Sequence, residues 1–557
     1  MTNSNKSDGL LLVPSAILVP DELRLDVGSV PTGMIPLEGK PMMEHLVDAY
    51  ADLELERVVA VGEGSDSIRK HISRSDHDWK VVDASSSSSI GETVLTTLNA
   101  FNADQLCERP LYVNFADTLI SPIRRATSEN VVSYQRRDRT YRWTTFNIES
   151  GRITGVVGKG KRGDSGRKPC FAGQFGLLDA NTFRQTLQET PAQSDNGLDY
   201  FYRALLSYLD TTDYKLLEPD SWIDVGHLDT YHRAKKRFLN AREFNELENF
   251  GKNVITKRSE DTETLINEIT WYQNIPKELQ PYLPRIYNYS TDLEDPYVKM
   301  EYIGYPSLSD LQLHGSHGQH IWNNIFHQMF NMHHEFQAYT ADAEQKTIKN
   351  SLKNMYLQKT RRRLNRLRDD DRFTPIFEAE NVQVNGTDYP SVDKMLKSLD
   401  EVVAESNLLN REYLSIIHGD LCLPNILYDP RNEILKLIDP RGKFGDFDIY
   451  GDPRYDYAKL RHSIVGHYEH LINNQFEADV DIDNAELYYQ IHTTKEQDKR
   501  EARFDSMLVS QTDVDIQEIK LIEALLFLSM VPLHNDSYKR QLSMLSQGIE
   551  KFAPFIA

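Results

Sequence analysis

Residues 417–439 contain side chains with the types and spacing that phosphoryl transfer to a hydroxyl requires. Asp420 lies in the segment Ile-His-Gly-Asp-Leu-Cys-Leu-Pro-Asn, which ends at Asn425, and Asp439 follows the apolar run 434–438. In kinase-type chemistry one Asp accepts the proton of the attacking hydroxyl, while an Asn and a second Asp hold Mg²⁺ against the nucleotide phosphates. The spacing therefore predicts Asp420 as the base. Such residues also make loop turns, but the spacing and the apolar strand argue against that interpretation.

This segment resembles the aminoglycoside phosphotransferase and choline kinase family, in which His-Gly-Asp stands where protein kinases have His-Arg-Asp. The resemblance implies a bilobal, protein-kinase-like α+β domain that uses ATP and Mg²⁺, with Asn425 and Asp439 as metal ligands. It also implies that His418 supports the catalytic loop. In the downstream segment Gly-Asp-Pro-Arg-Tyr-Asp, Asp456 matches the family's Asp that braces this loop. The Asp-Pro-Arg-Gly wording after 438 is similar to a branch found among surface-polysaccharide biosynthesis proteins.

A kinase small lobe needs a strand lysine for the nucleotide phosphates and a helix glutamate that orients it. We predict 254–257 as that strand and 264–272 as that helix, so Lys257 and Glu268 are the candidates for the ion pair. Each residue alone would be an ordinary solvated side chain. Their order before Asp420 favours the functional interpretation.

The sequence 297–303 is predicted to be the last small-lobe strand, running into the hinge that contacts adenine. Glu301 and Ile303 are therefore candidates for nucleotide binding. Gly251 is the only glycine near Lys257, so any cover over the phosphates is not of the G-x-G-x-x-G type.

A basic helix is predicted over 354–367. Its arginines would form a solvent-exposed face opposite an apolar stripe. The stripe would consist of Met355, Leu364 and Leu367. The functional alternative is that Lys359 and Arg363 bind an anionic group of the substrate.

The first 240 residues alternate strands with helices. Apolar strands are predicted at 57–62 and 111–117, and a helix opens with Gly-Glu-Thr at Gly91. Such alternation predicts a mostly parallel sheet covered on both faces, with ligands at the carboxyl ends of its strands. We therefore expect an α/β domain here.

Two segments of this domain resemble sugar-phosphate nucleotidyltransferases, which have a GT-A-like fold. They are 31–46, with its Gly-Lys-Pro turn, and 221–231, which reads Ser-Trp-Ile-Asp-Val-Gly-His-Leu-Asp-Thr-Tyr. The resemblance implies that Asp117 and Asp224 clamp a Mg²⁺ that neutralises a second NTP, of unspecified base. Ala172-Gly173 resembles the end of the family's sugar-contacting Asn-Ala-Gly, with Phe171 in place of the Asn. Gly173 and Gly91 are therefore further substrate-binding candidates. Helix capping is the alternative role for Asp117.

This domain also departs from the family. The glycine-rich loop that cradles a triphosphate is missing, and Thr32 stands where the family has its catalytic lysine. Arg24 or Lys40 could substitute. Four charges on a nearby loop could reach a phosphate: Lys159, Lys161, Arg162 and Lys168. The simpler interpretation is that these side chains are solvated. Because of these departures, the sequence supports the nucleotidyltransferase-like fold of this domain better than it supports nucleotidyltransferase activity.

The chain has 557 residues, which favours more than one domain. We predict a nucleotidyltransferase-like domain over 10–240 and a kinase-like domain over 241–557, with a small lobe at about 245–305 and a large lobe at about 306–557.

The net charge of −21 disfavours binding to nucleic acid. Three scattered cysteines indicate reduced thiols and a cytoplasmic setting. No apolar run is long enough to predict membrane insertion.

Together these features favour a bifunctional enzyme. It would phosphorylate a sugar or polyol with ATP and couple the phosphate to a nucleotide, giving an activated donor for surface-polysaccharide synthesis. One alternative is a kinase with a nucleotidyltransferase-like scaffold domain, and another is a kinase fused to a GT-A-like glycosyltransferase. The sequence does not specify the oligomeric state, and a homo-oligomer is one of the possibilities.

Overall fold

The computed structural model describes residues 9–75, 77–124, 126, 129–138, 140–159, 166–192, 198–240, 245–246 and 253–556. The chain divides into two compact units. The first comprises 1–238 with 314–316, and the second comprises 239–313 with 317–557. Among the described helices, none combines the length and the apolar composition that crossing a membrane demands.

The first unit alternates strands and helices along most of its length. Its strands are β1 Gly9–Ser15, β2 Pro36–Leu37, β3 Lys40–Pro41, β4 Leu55–Val61, β5 Trp79–Asp83, β6 Leu111–Asn114, β7 Thr118–Ser121, β8 Asn130–Arg137, β9 Thr145–Glu149, β10 Arg152–Val157, β11 Lys168–Leu177, β12 Tyr214–Leu217 and β13 Ser221–Asp224. Its helices are α1 Asp21–Val27, α2 Met42–Ala49, α3 Ser65–Ile72, α4 Ile90–Asn99, α5 Ala103–Leu106, α6 Ala180–Glu189, α7 Tyr200–Asp210 and α8 Leu228–Asn240.

The main sheet of this unit has parallel strands at its centre. Strands β5, β4, β1 and β6 are parallel neighbours, and β11 joins β6 in the antiparallel direction. Alternate residues of β1 enter different cores: Leu10 and Leu12 pack on one face, while Leu11 and Val13 pack on the other. Because successive side chains of a strand point to opposite faces, this pattern shows that both faces are covered. The predicted α/β fold is confirmed.

The second unit begins with a small antiparallel sheet in the order β14-β15-β17-β16 and one long helix. These elements are β14 Asn245–Glu246, β15 Val254–Lys257, β16 Ile286–Ser290, β17 Tyr297–Glu301 and α9 Thr262–Asn274. Asp261 caps α9, because its side chain accepts a hydrogen bond from the backbone N–H of Thr264 at 3.0 Å. The cap starts the helix two residues before the predicted position.

The remainder of the second unit is mostly helical. Its helices are α10 Leu308–Leu313, α11 Gln319–Gln337, α12 Gln345–Lys353, α13 Lys359–Arg368, α14 Thr374–Glu378, α15 Val392–Glu405, α16 Pro453–Ile464, α17 Tyr468–Ile472, α18 Lys495–Gln511, α19 Ile516–Met530 and α20 Tyr538–Phe552. Its strands are β18 Asn381–Val384, β19 Thr387–Pro390, β20 Ser415–Ile416, β21 Ile426–Asp429, β22 Ile434–Leu437, β23 Tyr450–Gly451, β24 Phe476–Asp481 and β25 Glu486–Ile491. A π-helical turn, Asn354–Gln358, joins α12 to α13. The unit is α+β, as predicted, and its division into two lobes stays a prediction.

Helix α16 is a buried element of the second unit. All of its residues are buried, although it contains four charged side chains and a histidine. Asp452 caps its N-terminus, with Pro453 as the first helical residue, so the start of the helix is strongly specified. A fully buried polar helix needs partners for every charge, and the catalytic candidates supply several of them.

Candidate active sites

The loop that carries Asp420 is held from below by Asp456 of α16. One carboxylate oxygen of Asp456 accepts a hydrogen bond from the backbone N–H of His418 at 2.7 Å, and the other accepts from Gly419 at 2.8 Å. Asp456 is completely buried, and His333 Nε2 lies 3.5 Å from it. Charge-assisted bonds to two successive backbone amides fix the loop in one conformation.

Replacing Asp456 by alanine is expected to lower the free energy of unfolding. Two buried N–H groups would lose their acceptor, and each such loss costs about 1–3 kcal/mol, so we expect a decrease of about 3 kcal/mol. Urea unfolding of the full chain, followed by tryptophan fluorescence, measures this change. The exposed Asp479→Ala is the control, with an expected change below about 0.5 kcal/mol. Equal stability of the two variants would contradict the bracing role.

His418 also joins the loop to the segment that carries Asp439. Its Nε2 donates to the carbonyl oxygen of Ile438 at 3.0 Å, and its ring packs edge-on against Trp271. Trp271 Nε1 donates to the carbonyl oxygen of Ile417 at 2.8 Å. These contacts join His418 to the backbone of the two segments, and its role as a support of the loop stays a prediction.

The Asp420 carboxylate is 41% exposed and pairs with Lys459, whose Nζ lies 2.7 Å from Oδ1. Asn425 Nδ2 donates to the Asp420 carbonyl oxygen at 2.9 Å and faces its Oδ2 at 3.3 Å. Burial opposes the negative charge on Asp420, but Lys459 more than offsets this effect and lowers the pKa of Asp420. Lys459 was not predicted from the sequence, although its i+3 spacing from Asp456 places both on one face of α16.

Lys459→Met is expected to move the acidic limb of the kinase pH–rate profile to higher pH. A base must be deprotonated to act, and removal of the Lys459 charge raises the pKa of Asp420. The measurement is kcat as a function of pH for wild type and variant. Lys499→Met, which removes an exposed lysine paired with Glu496, is the control. An acidic limb that stays in place would show that Lys459 does not set the charge of Asp420.

Lys257 connects the small lobe to the metal-ligand candidate Asp439. Its Nζ lies 2.8 Å from Glu268 Oε2 and 2.7 Å from Asp439 Oδ1. Burial opposes the positive charge, but Asp439 and Glu268 together raise the pKa of Lys257. Burial also raises the pKa of Glu268 to about 7, an effect that Lys257 limits. The predicted lysine and glutamate are thus brought together, with Asp439 as a third member.

Asp439 and Asn425 fit a Mg²⁺ ion by chemistry, and Asp439 is also accessible, whereas Asn425 is buried. Mg²⁺ prefers oxygen ligands and binds through one or two carboxylates together with substrate phosphates. The Asp439 side chain is 46% exposed, and its backbone is left-handed at φ 57°, a strained conformation for a residue with a side chain. Within the described residues, no group of three or more His, Cys, Asp or Glu side chains forms a metal cluster by itself. Binding of Mg²⁺ by Asp439 and Asn425 stays a prediction.

The hinge candidates lie at the end of β17. Glu301 Oε2 accepts a hydrogen bond from the Arg285 backbone N–H at 3.2 Å, and Ile303 lies beyond the strand. The predicted strand therefore ends two residues early. Gly251 lies outside the described residues. The contacts of Glu301 hold the strand end, and nucleotide binding by Glu301 and Ile303 stays a prediction.

Lys359 and Arg363 lie on α13 near Tyr455, a residue that sequence reasoning missed. Lys359 Nζ donates to Tyr455 Oη at 3.1 Å, and Arg441 donates to the same oxygen at 3.2 Å. Lys359 is only 6% exposed, so it does not lie on the solvent-exposed face of the helix. Arg363 is half-buried and donates to the carbonyl oxygen of Ser529 at 3.3 Å. The predicted apolar stripe is buried: Met355, Leu364 and Leu367.

In the first unit, pairing of β7 with β13 brings Asp117 and Asp224 together. Asp224 lies opposite Thr118 in the strand register, and the Val225 backbone N–H donates to the Asp117 carbonyl oxygen at 2.9 Å. A Cβ on Gly226 would lie 2.2 Å from an Asp117 carboxylate oxygen. A side chain at this position would displace the Asp117 carboxylate, so the Trp-x-Asp-x-Gly pattern has a steric reason.

The two carboxylates have different environments. Burial and the charge of Asp224 raise the pKa of Asp117. Burial also opposes the charge on Asp224, but His227 and Thr230 lower its pKa. Both Asp224 oxygens already accept hydrogen bonds, from Thr230 Oγ1 at 2.6 Å and from Trp143 Nε1 at 2.8 Å. Asp117 is therefore the carboxylate with more capacity for an external cation.

The position of the missing lysine is packed into the protein. Thr32 is 6% exposed and lies against Ser15, whose Oγ accepts a hydrogen bond from the Gly33 backbone N–H at 2.9 Å. The proposed substitutes pair elsewhere, Arg24 with Asp21 and Lys40 with Asp48. A glycine-rich loop is thus replaced by a closed turn.

The four predicted loop charges lie at different places in the structure. Lys161 and Arg162 lie outside the described residues, and Lys168 begins β11. The positive charge of Lys159 lowers the pKa of Asp117, so Lys159 is near enough to share a ligand with it. A pocket of about 610 Å³ beside Trp143 is lined by Asp138, by Asp229, which pairs with Arg142 and Arg233, and by further cations that the sequence did not single out. They are Arg136, Arg137, Arg142, Arg167 and Arg233.

The glycine candidates have packing reasons of their own. A Cβ on Gly91 would lie 2.6 Å from the Tyr200 ring, and Gly173 has a positive φ of 75° beside Thr118. Phe171, in place of the family's Asn, belongs to a buried aromatic cluster. Gly173 therefore lies next to the acid pair, whereas Gly91 supports the helix α4 against α7.

Comparisons with known proteins describe each portion of the chain separately. No family model matches this sequence, and neither does any curated protein. The N-terminal portion is similar to the CTP:phosphocholine cytidylyltransferase LicC of Streptococcus pneumoniae, with 11% identity over 41% of this chain and 98% of that chain and a TM-score of 0.33. The C-terminal portion is similar to the choline kinase LicA of the same species, with 14% identity over 55% and 88% and a TM-score of 0.32. It is also similar to the aminoglycoside phosphotransferase APH(3'')-Id of Streptomyces rimosus, with 12% identity over 50% and 86% and a TM-score of 0.28.

Proposed function

We propose that the second unit is an ATP-dependent phosphotransferase that acts on a hydroxyl of a small molecule. The observation that carries this proposal is the contact of Lys257 Nζ with both Glu268 and Asp439, which lie 11 and 182 residues away from it in sequence. A structural ion pair alone would not need a third, half-exposed carboxylate in a strained backbone conformation.

Each residue has a role that its contacts support. Asp420, kept ionised by Lys459, would accept the proton of the acceptor hydroxyl. Lys257, oriented by Glu268, would contact the nucleotide phosphates. Asn425 and Asp439 would hold Mg²⁺, which supplies neutralisation of the phosphate charge. Release of Asp439 from Lys257 would free one of its oxygens for this role.

A second activity, nucleotidyl transfer in the first unit, is supported by the placement of Asp117 beside Asp224. Asp224 is buried and Asp117 is partly buried, and two neighbouring carboxylates repel each other, which is costly unless a cation neutralises them. The charge of Lys159 and the arginine-lined pocket beside Trp143 would attract a phosphate-bearing substrate. The closed turn at Thr32 favours the alternative of a scaffold domain.

The combined reaction would activate a sugar or polyol. The kinase places a phosphate on a hydroxyl, and nucleotidyl transfer then joins that phosphate to a nucleoside monophosphate, with release of pyrophosphate. The resemblance of the Asp-Pro-Arg-Gly segment to polysaccharide-biosynthesis kinases supports surface-glycan synthesis as the destination.

Mass spectrometry of a sugar and polyol library tests both activities. The full chain is incubated with each compound, ATP and Mg²⁺, and products that gain a phosphate are then supplied with each common NTP. We expect phosphorylation of at least one alcohol by the wild type and none by Asp420→Asn. If no alcohol gains a phosphate, the phosphotransferase proposal is wrong.

A further inference from the structure

A cluster of cationic side chains surrounds Tyr455 beside the catalytic loop. Lys359 and Arg441 both donate to its phenol oxygen, at 3.1 and 3.2 Å, and Arg363 lies one helical turn from Lys359 on α13. Lys459 lies on the same helix as Tyr455, one turn further on, and contacts Asp420. The cluster therefore extends from the catalytic base into the helical lobe.

The positive charge of this cluster is not balanced by protein carboxylates. Within the described part of the chain, Lys359, Arg363 and Arg441 form no ion pair, whereas the charge of Lys459 is matched by Asp420 at 2.7 Å. A neutral phenol oxygen can accept hydrogen bonds but cannot neutralise two cations. Buried charges are costly unless a counter-charge accompanies them. An anionic ligand would supply that counter-charge.

The titration of Tyr455 and Lys359 is consistent with a strong positive field. Burial alone would raise the pKa of Tyr455, but Lys359, Arg441 and Lys459 lower it to about 7. Burial lowers the pKa of Lys359 to about 8. Both shifts favour the protonation states with less positive charge, which is the behaviour of a site that lacks an anion.

We propose that Lys359, Arg363 and Arg441 bind a phosphate or carboxylate group that belongs to the alcohol acceptor itself. This inference rests on the proposed phosphotransferase function and specifies the chemical class of its acceptor: an alcohol with an anionic group. Guanidinium groups suit this role because their fork of donors matches the oxygens of carboxylates and phosphates.

The position of the cluster favours the acceptor over the nucleotide. Arg441 lies beside the catalytic loop, because its backbone N–H donates to the His418 carbonyl oxygen at 2.9 Å and a Cβ on Gly419 would lie 2.9 Å from Arg441 Cβ. Lys257, on the small-lobe strand, already supplies a cation for the nucleotide. Lys359 donates to Tyr455 Oη and Arg363 donates to the Ser529 carbonyl oxygen, whereas the Asp420 carboxylate pairs with Lys459. The two cations of α13 are therefore separated from the candidate base by α16.

Matched acceptors test the inference by kinetics. The full chain is supplied with ATP and, in turn, glycerate, glycerol 3-phosphate, glycerol and choline, followed by acid, phosphate and neutral forms of the common sugars. We expect turnover of anionic members only. The double variant Lys359→Met with Arg363→Gln should raise KM for the anionic acceptor by about 30-fold or more, with KM for ATP unchanged. Arg361→Gln is the control, since Arg361 lies on the same helix and pairs with Asp400.

A binding measurement gives a readout without turnover. Inorganic phosphate at the site should raise the pKa of Tyr455, because a nearby negative charge disfavours the phenolate. The near-ultraviolet phenolate absorbance, taken as wild type minus Tyr455→Phe one pH unit above the Tyr455 midpoint, should therefore fall when phosphate is added. The fall should be absent in the Lys359→Met, Arg363→Gln variant and present in Arg361→Gln.

The outcomes separate this inference from the function on which it rests. Turnover of neutral or cationic alcohols as efficient as that of anionic ones would overturn the inference and leave the kinase standing. A rise in KM for ATP, and not for the acceptor, would assign the cations to the γ-phosphate and overturn it too. No turnover of any alcohol, with phosphate still altering Tyr455, would remove the phosphotransferase and with it the acceptor assignment.

Discussion

Asp420→Asn is expected to reduce ATP-dependent phosphorylation by about 10²–10⁴-fold, which is the usual effect of losing a general base. Asparagine keeps the volume of the side chain but cannot accept the hydroxyl proton. It also leaves the Lys459 charge without its carboxylate partner, so some loss of stability will accompany the loss of rate. The measurement is kcat with the acceptor that the library screen identifies.

Two measurements distinguish loss of chemistry from loss of structure. Binding of a fluorescent ADP analogue should persist in Asp420→Asn, because Lys257 and Glu268 are untouched. Asp479→Asn, an exposed change on β24, should keep wild-type kcat. Turnover of Asp420→Asn within a factor of about three of the wild type would exclude Asp420 as the base and the mechanism with it, since a general base contributes far more.

Asp117→Asn and Asp224→Asn are each expected to stop pyrophosphate release from an NTP and a phosphorylated acceptor. Changes to groups that merely orient a metal ligand commonly cost about 10–100-fold, so loss of a ligand itself should cost at least about 100-fold. Asp117→Asn should have the larger effect, because the Asp224 oxygens are already engaged by Thr230 and Trp143. A coupled phosphate assay with each NTP measures pyrophosphate.

The kinase reaction serves as the internal control for these two variants. Phosphorylation of the acceptor by ATP should keep its wild-type rate, and Asp220→Asn, an exposed change close to β13, should affect neither reaction. If the wild type releases no pyrophosphate with any common NTP and the products of its own kinase, the first unit is a scaffold domain. In that case both substitutions would be silent in every assay.

The chemistry-bearing residues of the kinase unit were predictable because their spacing is local. Asp420 and Asn425 lie five residues apart on one loop, and Asp439 follows a short strand that returns beside it. Short loops and tight strand pairs allow few arrangements, so residue type and spacing alone specify what these side chains can do. The alternation of strands and helices predicted the α/β fold of the first unit for a similar reason.

The contacts between distant segments could be proposed from sequence only as pairs of candidates. Lys257 and Asp439 are separated by 182 residues, and Asp117 meets Asp224 through pairing of β7 with β13. The sequence also could not show that Trp143 and Thr230 occupy the oxygens of Asp224. Long-range pairing depends on the packing of whole elements, which no local pattern encodes.

Sequence by itself determined the two fold classes and predicted the candidate base and metal ligands, because each follows from short-range spacing or periodicity. Only the tertiary structure decided which charges are buried. Lys359 belongs to a basic helix that predicts a solvated face, yet packing of α13 against α19 and α16 places it beside Tyr455 with 6% exposure. The free energy of a charge depends on the dielectric and the partners around it, and these exist only after the chain has folded.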